Sequence, residues 1–124
     1  MDKHRIMVID DEKIVGDMAK LSLEKDGYEV ETFLSGEPAL ARLKEKGFDI
    51  VVTDLKMKGM DGMEVLKTVR LLYPRTQVIM ITAFANLDSA IEAMRGEVFD
   101  FFPKPVKIKE LKASIARAIE KGAA

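Results

Sequence analysis

Acids, a hydroxyl and an ammonium each stand where an apolar run gives out. Asp10, Asp11 and Glu12 follow HRIMVI, Asp54 closes the run Ile50 to Thr53, Thr82 closes QVIMI, and Lys104 is set between Pro103 and Pro105. If carboxylates from two strands meet in one place, they cannot all ionise without a cation, because each raises the pKa of the others. Oxygen-only donors, in a chain with no cysteine and no histidine close to them, favour a hard cation such as Mg²⁺, which keeps several waters and takes one or two carboxylates. A hydroxyl and an ammonium both donate to anionic oxygen, and phosphate is the anion that takes several donors at once. Together they would make a phosphoryl-transfer site in which one carboxylate, Asp54, attacks. Each residue also has a structural reading: Asp11 can cap a helix, a strand-end threonine is usually internal, and a lysine is usually solvated. It is the convergence of three acids on one edge that favours chemistry. Lys104 is moreover held in a stiff turn, where an X-Pro bond makes a cis peptide least costly.

Such a site requires a scaffold that gathers strand ends. Residues 4–9 read as a first strand. From Glu12 to Asp26, Ile14, Met18 and Leu21 recur at helical spacing beside Val15, and Gly27 supplies the stop. Tyr28 to Phe33 alternates apolar and polar, as an edge strand does. Ser35 is placed to cap a second helix with Pro38 in its first turn, Leu40 and Leu43 as its core residues and Gly47 as its end. Ile50 to Thr53 suits a strand buried on both faces. A loop marked by Gly59 and Asp61-Gly62 leads to a helix from Met63 to Leu72, with Leu66 and Val69 inward and Pro74 as its stop. Gln77 to Ile81 is a fourth strand. Leu87, Ala90, Ile91 and Met94 form an amphipathic helical pattern, Val98 to Phe102 a fifth strand, and Ile108, Leu111, Ile115 and Ile119 line a last helix. Strict alternation implies a parallel sheet with helices on both faces, right-handed crossovers and a ligand site at the carboxyl ends of the strands.

Composition sets bounds. At 124 residues the chain has room for one domain, and 48% hydrophobic with 33% charged residues is ordinary for a soluble globular protein. Twenty Lys and Arg against 21 Asp and Glu give a net charge of −1, without the basic excess of a nucleic-acid binder. No apolar run nears the roughly 20 residues of a membrane span. The start, MDKHRIMVIDDE, has acids where a signal peptide needs its apolar core. A cytoplasmic protein is expected. The eight methionines, Met57, Met60 and Met63 among them, read as gap fillers and loop anchors. His4 reads as exposed, and Lys109, Lys112, Arg117 and Lys121 as the solvated face of the last helix.

The stretches VIDDE (8–12), VVTDLKMKGMDG (51–62), ITA (81–83) and FDFFPKP (99–105), in that order and spacing, resemble a receiver domain of two-component response regulators. The resemblance runs end to end, so residues 1–124 are expected to form a single receiver domain. It implies an α/β, flavodoxin-like (βα)5 doubly wound parallel sheet with strand order 2-1-3-4-5. It also implies that Asp54 is the phosphoacceptor, taking a phosphoryl group from the phosphohistidine of a sensor histidine kinase. Asp11 and Asp54, with the backbone carbonyl of Lys56, would hold Mg²⁺, with Asp10 assisting. Thr82 would be the switch hydroxyl, Lys104 would pair with a phosphoryl oxygen, and Phe101 would be the switch aromatic that turns inward with Thr82. The face made by the fourth helix, fifth strand and fifth helix would serve a downstream output domain or effector protein, or a homodimer. Direct contact with nucleic acid or membrane is not expected, nor is turnover as an enzyme. The segments around TAFANLDSAIEAM and FDFFPKP are most similar to receivers of enhancer-binding transcription activators.

Two departures from the family pattern stand out: Lys58 replaces a common Pro after the phosphoacceptor, and Gly96 lies one place earlier than the common Gly-Ala pair near the end of the fourth helix. By analogy Lys56 and Phe84 would border the attacking water, and a bulky Phe84 would shield the acyl phosphate and slow its hydrolysis. Competing functions fit less well. A pseudo-receiver commonly lacks part of the set Asp10, Asp11, Asp54, Thr82 and Lys104. A phosphatase of the haloacid dehalogenase type needs an acid where Lys56 stands. A flavin or nucleotide binder needs glycines where the first loop has carboxylates.

Overall fold

The computed structural model describes residues 3–123. Strands and helices alternate as β1 (Arg5–Ile9), α1 (Lys13–Lys25), β2 (Glu29–Phe33), α2 (Gly36–Glu45), β3 (Ile50–Asp54), α3 (Gly62–Leu72), β4 (Gln77–Thr82), α4 (Leu87–Arg95), β5 (Asp100–Pro103) and α5 (Ile108–Ala123). All five strands are parallel, in the order β2-β1-β3-β4-β5 expected above. Successive side chains of a strand point to opposite faces, and the core divides accordingly. Met7, Ile9, Val51, Val78 and Met80 pack on one side with residues of α2, α3 and α4. Ile6, Val8, Ile50, Val52, Ile79 and Ile81 pack on the other with Leu23 of α1 and Leu111, Ile115 and Ala118 of α5.

Register is what matters for function. Ile9 lies opposite Thr53, Asp54 opposite Ile81, and Thr82 opposite Pro103. The residues that follow Ile9 and Pro103 therefore emerge beside Asp54 at one end of the sheet.

Helical periodicity located the helices, but two of them bury a different face from their large apolar stripe. Ile14, Met18 and Leu21 are 65%, 65% and 63% exposed, while α1 buries Gly16 and Leu23. In α4 only Ala93 is buried, and Leu87 and Met94 are 75% and 71% exposed. Where these helices approach the sheet most closely, small residues such as Gly16 and Ala93 are buried, and Ile14, Met18, Leu21, Leu87 and Met94 are left outside. Other details shift locally. β5 begins at Asp100 rather than Val98, and Ser35 stands at the N-cap of α2 without a side-chain capping bond. Asp61 caps α3 through the Glu64 amide at 3.0 Å, and Asn86 with Ser89 forms a capping box on α4.

The departure at Gly96 has a packing cause. A Cβ there would come within 2.8 Å of Leu66 Cδ2, so this position belongs to glycine because α4 ends against α3. The left-handed conformation that closes the helix then falls on Glu97, at φ 65°. A side-chain-bearing residue there costs about 1–2 kcal/mol, partly offset by the greater unfolded-state entropy of glycine. Glu97→Gly is expected to stabilise the domain by about 1 kcal/mol, read as a higher urea midpoint with an unchanged slope in equilibrium unfolding.

Candidate functional site

Asp54 is the last residue of β3 and only 5% exposed. Its Oδ2 accepts a hydrogen bond from Lys104 Nζ at 2.8 Å, and its Oδ1 is buried without a hydrogen-bond partner. Asp10, one residue past β1, is 2% exposed. Its Oδ1 accepts the Glu12 amide at 2.9 Å, and its Oδ2 lies 2.9 Å from Lys104 Nζ as an ion pair. Glu12 completes the set, with Oε1 at 3.2 Å from the same ammonium. Lys104 is brought in by β5: its amide donates to the Thr82 carbonyl at 2.8 Å, and the peptide bond to Pro105 is cis. The Lys104 side chain is 14% exposed.

The electrostatics follow from burial. Loss of water pushes the Asp10 carboxyl up, opposed by the Glu12 amide and by Lys104, with the nearby Asp54 charge adding to the rise. Burial would lower Lys104, yet its hydrogen bond to Asp54, its close pairing with Asp10 and the charges of both outweigh that and hold it above the ordinary ammonium range. The ammonium is therefore charged at neutral pH. One positive charge facing three carboxylates leaves a formal excess of two negatives. Oxygens of Asp10, Glu12 and Asp54 lie within 4.8 Å of one another. This donor set, together with the orphaned Oδ1 of Asp54, fits a hard divalent cation such as Mg²⁺.

Of the residues read from sequence, Asp10, Asp54 and Lys104 meet in one cluster. Asp11 is exposed and its carboxylate is not among the grouped oxygens. Glu12 takes part instead, although the sequence pattern marks it only as the start of a helix. It is the N-cap of α1 but makes no side-chain capping bond, so its carboxylate is free to turn to the rim. Thr82 is fully buried, and its Oγ1 accepts the Phe84 amide at 3.0 Å, leaving the hydroxyl proton available to an acceptor. The Phe84 ring is 60% exposed at the rim. Phe101 is half-buried against the core cluster that includes Met80 and Ala93. Lys56 and Lys58 are exposed in the loop after Leu55, a loop anchored by Met57 and Met60, which pack on the core. That loop closes tightly: the Gly62 amide donates to the Leu55 carbonyl at 2.8 Å, and a Cβ on Gly62 would sit 2.9 Å from the Leu55 Cα. His4 is exposed and pairs with Asp49 at 3.5 Å, at the amino ends of β1 and β3 and so at the opposite edge of the sheet from this cluster.

Comparison with known proteins gives one answer. A family model described as response regulator receiver domain matches residues 6–116. The chain is 35% identical over 119 residues to the DNA-binding transcriptional regulator NtrC of Salmonella typhimurium, covering 96% of this chain and 25% of that protein. It is 35% identical over 117 residues to the regulatory protein AtoC of Escherichia coli, covering 94% of this chain and 25% of that protein. It thus spans about a quarter of the length of these curated relatives. Among solved structures, a CheY-like receiver domain protein from Methanospirillum hungatei superposes with a TM-score of 0.94 at 28% identity, over 98% of both chains. A receiver domain protein from Clostridium thermocellum gives 0.91 at 36% identity over 97% of both chains. The beryllofluoride-activated NtrC4 receiver domain dimer gives 0.90 at 28% identity, covering 95% of this chain and 98% of that one.

The excess negative charge generates a measurable expectation. At about ten times its dissociation constant, Mg²⁺ should stabilise the fold by about 1.4 kcal/mol, a rise of roughly 3–8 °C in melting temperature for a domain of this size. Thermal scans at constant ionic strength, with NaCl replacing MgCl₂ in the control, check this, and Asp54→Asn should lose most of the rise.

Proposed function

Since the chain belongs to the response regulator receiver domain family, we propose that residues 1–124 are one receiver domain working as a phosphoacceptor switch in the cytoplasm. Asp54 takes a phosphoryl group from the phosphohistidine of a sensor histidine kinase, and a downstream output domain or effector reads the result. The observation that supports this most directly is the division of labour between the two Asp54 oxygens. Oδ2 is pinned by Lys104 at 2.8 Å, whereas Oδ1 is buried and unpartnered, a fixed carboxylate with one free oxygen. In the transfer an Oδ1–P bond forms as the P–N bond breaks, and the departing imidazole nitrogen takes up a proton.

Asp10 and Asp54, with Asp11 or Glu12 and the backbone carbonyl of Lys56, would hold Mg²⁺. When bound, the ion neutralises charge on the transferring group. Lys104 pairs with one phosphoryl oxygen and the Thr82 hydroxyl donates to another. Phe84, exposed at the rim, shields the acyl phosphate from water. Phe101 follows Thr82 and alters the face of α4, β5 and α5. The exposed Leu87 and Met94 of α4 give that face an apolar surface for an output domain or a second copy; the similar NtrC4 receiver is a dimer. Receiver domains are signalling domains, and the modification here is a message rather than a turnover reaction. Among the described residues no helix is long and apolar enough to cross a membrane.

A second surface suits the donor. A groove of about 620 Å³ lies between α1 and the segment from Lys104 to Leu111, lined by Met18, Ala19, Val106 and Ile108, with Glu12 and Lys104 also on its wall. Met18 on its wall also belongs to the exposed Ile14, Met18 and Leu21 stripe of α1. A kinase helix carrying the phosphohistidine fits here, because the groove reaches Lys104, whose ammonium lies 2.8 Å from Asp54.

Incubation with acetyl phosphate and Mg²⁺ should add one phosphoryl unit, about 80 Da, by mass spectrometry, and Asp54→Asn should remain unmodified. An unmodified parent chain would overturn the proposal. Met18→Asp should slow transfer from the kinase by about tenfold or more, as expected for a buried interface anchor, while its rate with acetyl phosphate stays at the parent value.

A further inference from the structure

An ammonium has three N–H donors, and Lys104 faces three carboxylates: Asp54 at 2.8 Å, Asp10 at 2.9 Å and Glu12 at 3.2 Å. The three contacts are unequal. Asp54 and Asp10 are buried, with side chains 7% and 0% exposed, whereas the Glu12 side chain is 61% exposed. An exposed pair is weak and screened by salt. Of the two hydrogen bonds Lys104 donates, to Asp54 and to Glu12, the second is thus the one most easily given up, and a phosphoryl oxygen arriving on Asp54 needs a donor.

We infer that Glu12 is a specificity-determining residue: it occupies one donor of Lys104 at rest and then discriminates against phosphodonors by their charge. Glu12 stands on the wall of the groove that Lys104 also lines, so an anionic donor using this groove passes it on the way to the ammonium. When the transferred group claims Lys104, Glu12 is left beside a dianion with its own partner gone. Like charges at such range oppose both the approach of the donor and the lifetime of the product. A docked protein partner offsets this through its contacts along the groove; a small free donor has no such compensation. Glu12 therefore favours phosphorylation by a protein over phosphorylation by small metabolites.

The inference rests on the phosphoacceptor reading, and the test separates the two. With acetyl phosphate, the Asp54 Oδ1–P bond forms as the bond from phosphorus to the acetyl oxygen breaks, acetate leaves as the anion, and total charge is conserved. Pseudo-first-order modification rates are measured by mass spectrometry for the parent, Glu12→Gln and Glu12→Lys, with saturating Mg²⁺, at low and high ionic strength. Acetyl phosphate serves as a dianionic donor and phosphoramidate as one of lower negative charge. Glu12→Gln is expected to react about threefold to tenfold faster with acetyl phosphate at low salt, and Glu12→Lys faster still. The gain should fall below about twofold at 0.5 M salt and be smaller with phosphoramidate. Equal rates, or gains independent of salt and donor charge, overturn the inference while leaving the phosphoacceptor reading intact. So does a slower Glu12→Gln with a raised Mg²⁺ requirement, which would make Glu12 a metal ligand above all. No modification of the parent by either donor removes the phosphoacceptor reading itself. Melting temperatures of both variants, expected within a few degrees of the parent for an exposed site, keep a folding defect from being read as a rate effect.

Discussion

The single ammonium of Lys104 is what allows two carboxylates to be buried at the carboxyl end of this sheet. Moving an ion out of water costs several kcal/mol even after the protein relaxes, and the cost is recovered only when a partner of opposite charge is close and well oriented. Asp10 and Asp54 meet that condition at 2.9 and 2.8 Å, and no other cation is placed to do so among the pairs of the described residues. The pairing is also incomplete. One ammonium cannot neutralise both acids and Glu12 as well, so the site holds a standing demand for positive charge. That demand favours a divalent ion, and the orphaned oxygen of Asp54 is the atom the proposed transfer would use.

Strand register brings the three residues together. Asp54 and Asp10 emerge side by side because β3 pairs with β1, and Lys104 arrives because β5 pairs with β4 one residue before it. The amide of Lys104 is fixed to the carbonyl of Thr82, and the flexible part of its side chain is confined by burial. A long side chain ordinarily loses up to about 2 kcal/mol of rotamer entropy on being held in one place. Two charge-assisted contacts, each stronger than a neutral hydrogen bond, offset that loss. The loop behind Asp54 is made rigid differently. Lys58 brings none of the stiffness of a proline, and the constraint comes from Met57 and Met60 packed on the core and from the close approach of Gly62 to Leu55.

The order of strands and helices, and three of the clustered site residues, could be read from the chain because they depend on pattern. Apolar runs ending in acids, glycine stops and 3.6-residue spacing are local signals. Three features escaped such reading, and each depends on something non-local. The face that α1 and α4 bury is decided by how near each helix lies to the sheet, which favours Gly16 and Ala93 over Ile14 and Leu87. The choice of Glu12 over Asp11 for the cluster depends on how the chain turns between β1 and α1, where a shift of one residue reverses the direction of a side chain. Leu66, distant in sequence, crowds the place of a Cβ at Gly96, and the left-handed residue is its neighbour Glu97. A lone sequence registers the departure from a common Gly-Ala order without revealing the neighbour that causes it.

Coupling from site to surface, in the proposed switch, passes through Thr82. Its carbonyl holds the Lys104 amide, its hydroxyl oxygen holds the Phe84 amide, and four residues later Asn86 caps α4. A phosphoryl oxygen that draws the hydroxyl toward Asp54 must loosen the Phe84 bond, and with it the turn that fixes the start of α4. The energies are commensurate. A neutral hydrogen bond contributes about 1 kcal/mol, whereas a phosphoryl group can add one to three charge-assisted bonds. Helix α4 is the right element to respond, since it buries only Ala93 while α3 buries five residues, from Gly62 to Val69. Elements with few buried contacts occupy the low end of local stability and move first. The exposed leucine and methionine of α4 thus follow from the same weak seating that lets the helix shift. An apolar face loosely held beside a charge-driven hinge is what a partner-binding switch requires.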